Sequence, residues 1–272
     1  MISFHSIFAY ANNKTLATET APEENTKTKS TNNYSTPEEI YKQNKGLLCT
    51  NSTETINAEK LMNEAATQLE HHAKNKEGYK LRTSYRRNNG IFSIKEHENT
   101  VIQRIHFKYY LSSKYNEIIN MLWDPALANH FNKGSVERKI VRVYNPNLVM
   151  IQQRYKKSDL DNEKYFYALA AKIDVRKYFF LFLTKSYFSH NSQEEYENKI
   201  IENANLFKTD IKSENDIRNG KLKKTFVNIA GYLLEKTGAY IDGHTSNSQE
   251  LYIEKGLNKL LDHKNWSIWL GY

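Results

Sequence analysis

Three arginines, Arg138, Arg142 and Arg154, alternate along the two arms of "RKIVRVYNPNLVMIQQRYKK", residues 138–157. A guanidinium grips a phosphate through two parallel hydrogen bonds, so arginines on the inner face of a hairpin would suit an anionic ligand held away from water. On the outer face the same charges would only solvate the sheet, and the alternation alone does not decide between the two. Other chemistry is harder to assemble. Cys49 is the single cysteine, so neither an internal disulfide nor a cysteine-based metal framework can form. His71 and His72 are neighbours on a helix, about 100° apart around its axis, and do not form a natural chelate. No H-E-x-x-H, phosphate-loop or dinucleotide-binding glycine motif occurs, and 10 glycines leave little from which to build a phosphate cradle. Asp124, after Trp123, reads as a helix-end residue. The N-x-[ST] triplets at Asn13, Asn33 and Asn51 are of the kind that Asn/Thr-rich sequence produces by chance. No nucleophile–base pair can be named, so no enzyme activity, catalytic residue, metal or cofactor is expected.

What must position the arginines is a soluble fold. Of the 272 residues, 39% are hydrophobic and 26% charged, and no run of about 18 apolar residues offers a spanning helix. A core is still within reach, because 19 Tyr and 12 Phe carry much of the apolar area. The net charge of +8 favours anionic surfaces. It is spread along the chain without a basic block, so nucleic acid is not expected as a partner. The first residues, "MISFHSIFAY", form a short apolar patch without a basic segment before it, a poor secretory signal by itself. Residues 12–50 are rich in Asn, Thr, Lys, Ser and Glu and too polar to offset their ordering entropy. Residues 1–50 are therefore expected to be a remnant signal segment and flexible leader, and residues 51–272 a single domain.

Within that domain the hydrophobic period alternates between helix and strand. Ala58, Leu61, Met62, Ala65, Leu69 and Ala73 recur at helical spacing over 53–76, and Gly78 is a plausible stop. Asn89-Gly90 is a hairpin signal between two strand-like runs, and "TVIQRIHFKYY" reads as a third strand. "SSKYNEIINMLWDP" returns to helix, with Ser113 as N-cap. Strands are expected near 136–145, 147–157, 164–174 and 177–188, with a turn at Asn145-Pro146-Asn147. A charged helical insert, "SQEEYENKIIENA", a long strand, "KLKKTFVNIAGYLLEK", and a short strand at "YIDGHT" follow. A final helix, with Asn247 and Glu250 as a capping box, carries Ile253, Leu257, Leu260 and Leu261 on one face. The order gives an α+β fold: a long antiparallel sheet whose apolar face the last helix would cover.

The blocks "INAEKLMNEAA", "KYNEIINMLWDP", "GSVERKIVRVYNPNLVMIQQRYKK", "KYFYALAAK", "GKLKKTFVNIAGYL" and "IDGHTS" resemble the fam-a family of Plasmodium, from rodent malaria parasites, and the leader is similar as well. That family carries a domain similar to START, the steroidogenic-acute-regulatory-related lipid-transfer fold. The resemblance implies a START/Bet v 1-like helix-grip, in which a curved antiparallel sheet wraps around a C-terminal helix and encloses a tunnel for one lipid. It also implies non-enzymatic binding and transfer of a phospholipid of phosphatidylcholine type, transient contact with membranes, and a monomer exported toward the parasitophorous vacuole and host erythrocyte. The alternative reading is an exported protein-interaction module with a degenerate fold of this kind and no transfer activity.

On that resemblance the expected lipid-binding residues are Met150, Ile151, Tyr165, Tyr167, Leu169, Phe226, Ile253, Leu257, Leu260 and Leu261, with Trp266 and Trp269 at the membrane. Tyr165 matches one aromatic of the family's choline cage, and Ile151 stands where another would be Trp. The Arg–Asp headgroup clamp of related domains is missing: Ala128 occupies the arginine position and Phe131-Asn132 replaces Trp-Asp. "LEKTGAYIDGHTS" looks shortened, which implies a clipped last strand and a thinner tunnel wall.

Overall fold

Asn51 starts the longest helix: its side-chain oxygen accepts the Glu54 N–H at 3.1 Å, the N-cap bond of α2, Ser52–Lys74. In the computed structural model, which describes residues 34–85, 90–97, 100–110, 112–125, 136–156, 163–175, 178–185 and 197–247, this helix lies along one face of a ten-stranded sheet. Its sequence stripe, Ala58, Leu61, Met62, Ala65, Leu69 and Ala73, is buried without exception. Gly78 follows in the left-handed region, φ 75°, and turns the chain into the first strand.

The strands are β1 (Lys80–Tyr85), β2 (Gly90–His97), β3 (Thr100–Tyr109), β4 (Val136–Asn145), β5 (Leu148–Tyr155), β6 (Lys164–Val175), β7 (Tyr178–Lys185), β8 (Lys223–Lys224), β9 (Ala230–Lys236) and β10 (Ile241–Asn247). They run in the order β1-β2-β3-β10-β9-β7-β6-β5-β4, antiparallel throughout, and the short β8 pairs parallel with β6. The expected α+β class with one long antiparallel sheet is present. The Asn145-Pro146-Asn147 turn forms as read, with the Asn145 side chain accepting the Asn147 N–H at 2.9 Å. β10 pairs with β3 and β9 along all seven of its residues.

Several boundaries differ from the sequence reading, for local reasons. Structure begins before residue 51: α1, Pro37–Gln43, is closed by a Thr36–Glu39 capping box and buries Ile40, and the Cys49 N–H bonds Val143 O at 2.7 Å. One apolar residue per turn was enough to anchor a segment whose composition reads as leader. Ser113 lies inside a 3-10 turn, Ser112–Lys114, and α3, Tyr115–Trp123, has no side-chain cap. The described part of the charged insert is not an α-helix. There Asn198 accepts the N–H groups of Ile200 and Ile201 and folds the backbone into a loop. The long strand over 221–236 is broken between β8 and β9. Asn247, expected to cap a helix, ends β10. The leader through residue 33 and the final helix lie outside the described residues.

Candidate functional site

Strand parity divides the core in two. Toward α2 point Leu148 and Met150 of β5, Tyr165, Tyr167, Leu169, Ala171 and Ile173 of β6, Ile102 of β3 and Leu233 of β9. Away from it point Val149 and Ile151, Phe166, Ala168 and Ala170, Ile105 and Phe107, and Ala230 and Leu234, which pack with α1 and α3. We call these the outer and inner faces.

The expected lipid-binding residues are therefore not one set. Ile151 lies on the inner face. Met150, Tyr165, Tyr167 and Leu169 lie on the outer face beneath α2, so no single hollow is lined by all five. Alternation offered both sets equally, and only the position of α2 separates them. Phe226 is buried in the irregular stretch between β8 and β9, with Lys224 Nζ 5.5 Å from its ring centre. Ile253, Leu257, Leu260, Leu261, Trp266 and Trp269 lie outside the described residues, as do the clamp positions Ala128, Phe131 and Asn132.

The three arginines are also divided. A β-bulge between Ile140 and Arg142 reverses the parity of β4. Arg142 consequently reaches Glu54 Oε2 of α2 at 3.1 Å and the Asp210 carbonyl on the outer face. Arg154 is on that face too, bidentate to Asp216 at 2.6 and 3.0 Å and 3.0 Å from Glu214. Hydrogen bonding to Arg154 holds the Asp216 carboxyl at about 2. Burial works against ionising Glu214, yet hydrogen bonds from Lys139, Gln152 and Arg154 bring it to about 2 as well. Both arginines are occupied by protein carboxylates.

Arg138 faces inward. Its Nε donates to Gln153 Oε1 at 2.7 Å, and Gln153 Nε2 donates to the Tyr155 hydroxyl at 2.7 Å. Gln153 is only 3% exposed. Burial lowers the Arg138 pKa, opposed by Tyr155 and Tyr232. The group keeps its proton at any ordinary pH. Burial pushes the Tyr155 phenol up to about 12, with Arg138 and Gln153 opposing, so it stays a neutral hydroxyl. Among the described residues, the inner face thus carries a cationic, hydrogen-bonding cluster at Arg138, Gln153 and Tyr155 beside its apolar core residues.

Two further features shape that wall. Trp123, the last residue of α3, is 6% exposed, and its indole N–H is buried with no acceptor among the described residues. Buried indole N–H groups normally find a partner. The Phe107 ring lies on Gly243, where an added Cβ would sit 2.3 Å from a ring atom. At Gly243 the inner side of β10 is therefore bare backbone under an aromatic ring. Neither feature has a sequence signature beyond the "IDGH" block, since each depends on what a distant strand places opposite.

No protein-family model matches the chain, and none of the curated proteins matches it. Among solved structures, human STARD10 is 8% identical over 73% of this chain and 74% of its own, with a TM-score of 0.46. Human StAR-related lipid transfer protein 5 is 10% identical over 79% and 92%, with a TM-score of 0.49. A fragment of the STAR-related lipid transfer protein from Xanthomonas axonopodis is 6% identical over 68% and 90%, with a TM-score of 0.41.

Proposed function

We propose that the inner face binds one lipid and that the protein carries it between membranes. The observation that carries the proposal is the buried Trp123 N–H, which has no acceptor among the described residues, set in the same apolar layer as the small side chains Ala168, Ala170 and Ala230. A wall of that kind takes acyl chains, and each methylene removed from water contributes about 0.8 kcal/mol. The stray indole donor fits a lipid ester carbonyl or hydroxyl, groups that an alkyl chain alone does not offer. Arg138, with Gln153, fits the phosphate of a phospholipid. The ring faces of Tyr155 and Tyr232 suit a quaternary ammonium beside it, which is why a phosphatidylcholine-type lipid is our choice.

Transfer on this reading is passive, with no covalent step. The protein docks on a membrane, takes up one lipid, closes and leaves. The charge of +8 assists docking on anionic leaflets, at about 1 kcal/mol for each basic residue near the surface. We also propose, on the resemblance alone, that the chain belongs with fam-a and acts as a monomer after export toward the host erythrocyte.

The test is lipid mass spectrometry of the natively purified chain together with liposome-to-liposome transfer of labelled phosphatidylcholine. One co-purified phospholipid per chain and transfer above background are expected. Neither lipid nor transfer would reject the proposal in favour of a protein-interaction module.

A further inference from the structure

On the outer face, past the C-terminal end of α2, β3 and β10 place three metal-binding side chains together. His106 and His244 are direct cross-strand partners, and Asp242 lies two residues from His244 on the same side of β10. The imidazoles are stacked, with ring centres 4.3 Å apart and planes 11° apart. Asp242 Oδ1 is 2.6 Å from His106 Nε2 and 3.9 Å from His244 Nε2. One donor atom from each of the three residues lies within 4.8 Å of the other two. A shared zinc-class ion at about 2.1 Å from each donor would set them roughly 3.4 Å apart. The site reaches that spacing by opening the short contact and closing the long one through side-chain rotation.

The neighbours leave room for this. Arg104, next along β3, donates to Asn75 O at 2.6 Å and lies over the Tyr79 ring, 4.1 Å from its centre. Lys108, opposite Asp242 in register, lies over Tyr240 with its Nζ 4.9 Å from the ring centre. Both cations are drawn off the carboxylate. The nitrogen of His244 that lies 3.9 Å from Asp242 Oδ1 is Nε2, while its Nδ1 is buried with no partner among the described residues, so Nε2 is the nitrogen offered to an ion. All three side chains are part-exposed, so an ion can enter.

We infer that His106, Asp242 and His244 form a binding site for a divalent first-row transition ion of the zinc class. Two imidazole nitrogens and one carboxylate oxygen favour such an ion over calcium or magnesium, which prefer oxygen ligands. The remaining coordination positions go to water or to an exogenous ligand. Because β3 and β10 are far apart in sequence, the ion also ties the first three strands to the last strand of the chain's described part, β10.

The experiment is calorimetric titration of the untagged full chain with zinc, repeated with Asp242→Asn and His244→Gln. One ion per chain is expected, with affinity falling at least tenfold in each variant. Absence of stoichiometric binding, or unchanged affinity in folded variants, would overturn the inference. If the variants do not fold, the wild-type chain decides the matter through long-range nitrogen–proton spectra of its histidines. Zinc should shift His106 and His244 together and leave His71, His72 and His97 in place; shifts confined to those three would reject the site. None of these readings depends on lipid binding.

Discussion

On the outer face Glu54 accepts hydrogen bonds from the Tyr144 hydroxyl at 2.8 Å, Thr209 at 2.6 Å and Arg142 at 3.1 Å; on the inner face the Trp123 N–H meets no acceptor among the described residues. The same sheet supports both. Beneath α2 and the 206–218 segment, polar side chains are brought in from distant parts of the chain and satisfied by one another: Gln152 donates to Tyr167, and Tyr167 donates to Ser213. The inner face has apolar core residues, the Trp123 donor and the Arg138 cluster. Around Glu54 and Tyr167 the polar groups close their own hydrogen bonds and serve stability, whereas the wall beside Trp123 leaves a donor open among the described residues.

If that contrast is right, outer-face changes should act on stability and inner-face changes on lipid. The largest expected effect is on the outer face. Glu54→Ala strands Arg142 and Tyr144 in a buried setting and should cost about 3 kcal/mol in denaturant unfolding. Lipid held per folded molecule should not change. Gly243→Ala is next. Its Cβ cannot coexist with the Phe107 ring where it lies, so the ring must move, at about 2 kcal/mol. Since that ring belongs to the inner wall, lipid capture should fall along with stability.

Trp123→Phe keeps an aromatic ring and removes the N–H. Thermal stability of the lipid-free chain should hold or rise slightly, because a buried unpaired donor is gone. Affinity for phospholipid should drop about tenfold, the worth of one hydrogen bond. Equal loss of stability and affinity would erase the distinction between the faces. The smallest effect is with acid. Asp216 and Glu214 have folded-state values of about 2, below their ordinary 3.8 and 4.5. Their contribution is therefore complete above about pH 5 and disappears as pH falls toward 2. Both are about one-third exposed, so after solvent screening it amounts to about 1 kcal/mol. Arg154→Met should flatten that acid limb of the stability curve without changing lipid capture at neutral pH.

The sequence carried the period of each element better than its orientation. The α2 stripe was legible because six apolar residues repeat at helical spacing with charges between them. β4 to β7 were legible as runs punctuated by turn residues. Which face of β5 looks inward was not, because Leu148/Met150 and Val149/Ile151 are equally apolar and α2, which settles the matter, is encoded far upstream. The bulge in β4 was invisible for a similar reason: it turns Arg142 toward Glu54 through pairing geometry, with no glycine or proline to mark it. The grouping of His106 with Asp242, 136 residues away, follows from β3 pairing with β10, a register that no local pattern announces. Residues 34–50 were misread because composition averages over a segment, while anchoring needed only Ile40 and a strand-like bond at Cys49.

The central claim is that lipid sits against the inner face. A phosphatidylcholine with a photoreactive group near the end of one acyl chain, loaded from vesicles and irradiated, reports its own surroundings. Covalent adducts on Phe107, Ile151, Phe166 or Ala168 are the result the account predicts. Adducts confined to α2 and the outer-face residues Met150 and Leu169, or no adducts from a chain shown to be folded, would contradict it.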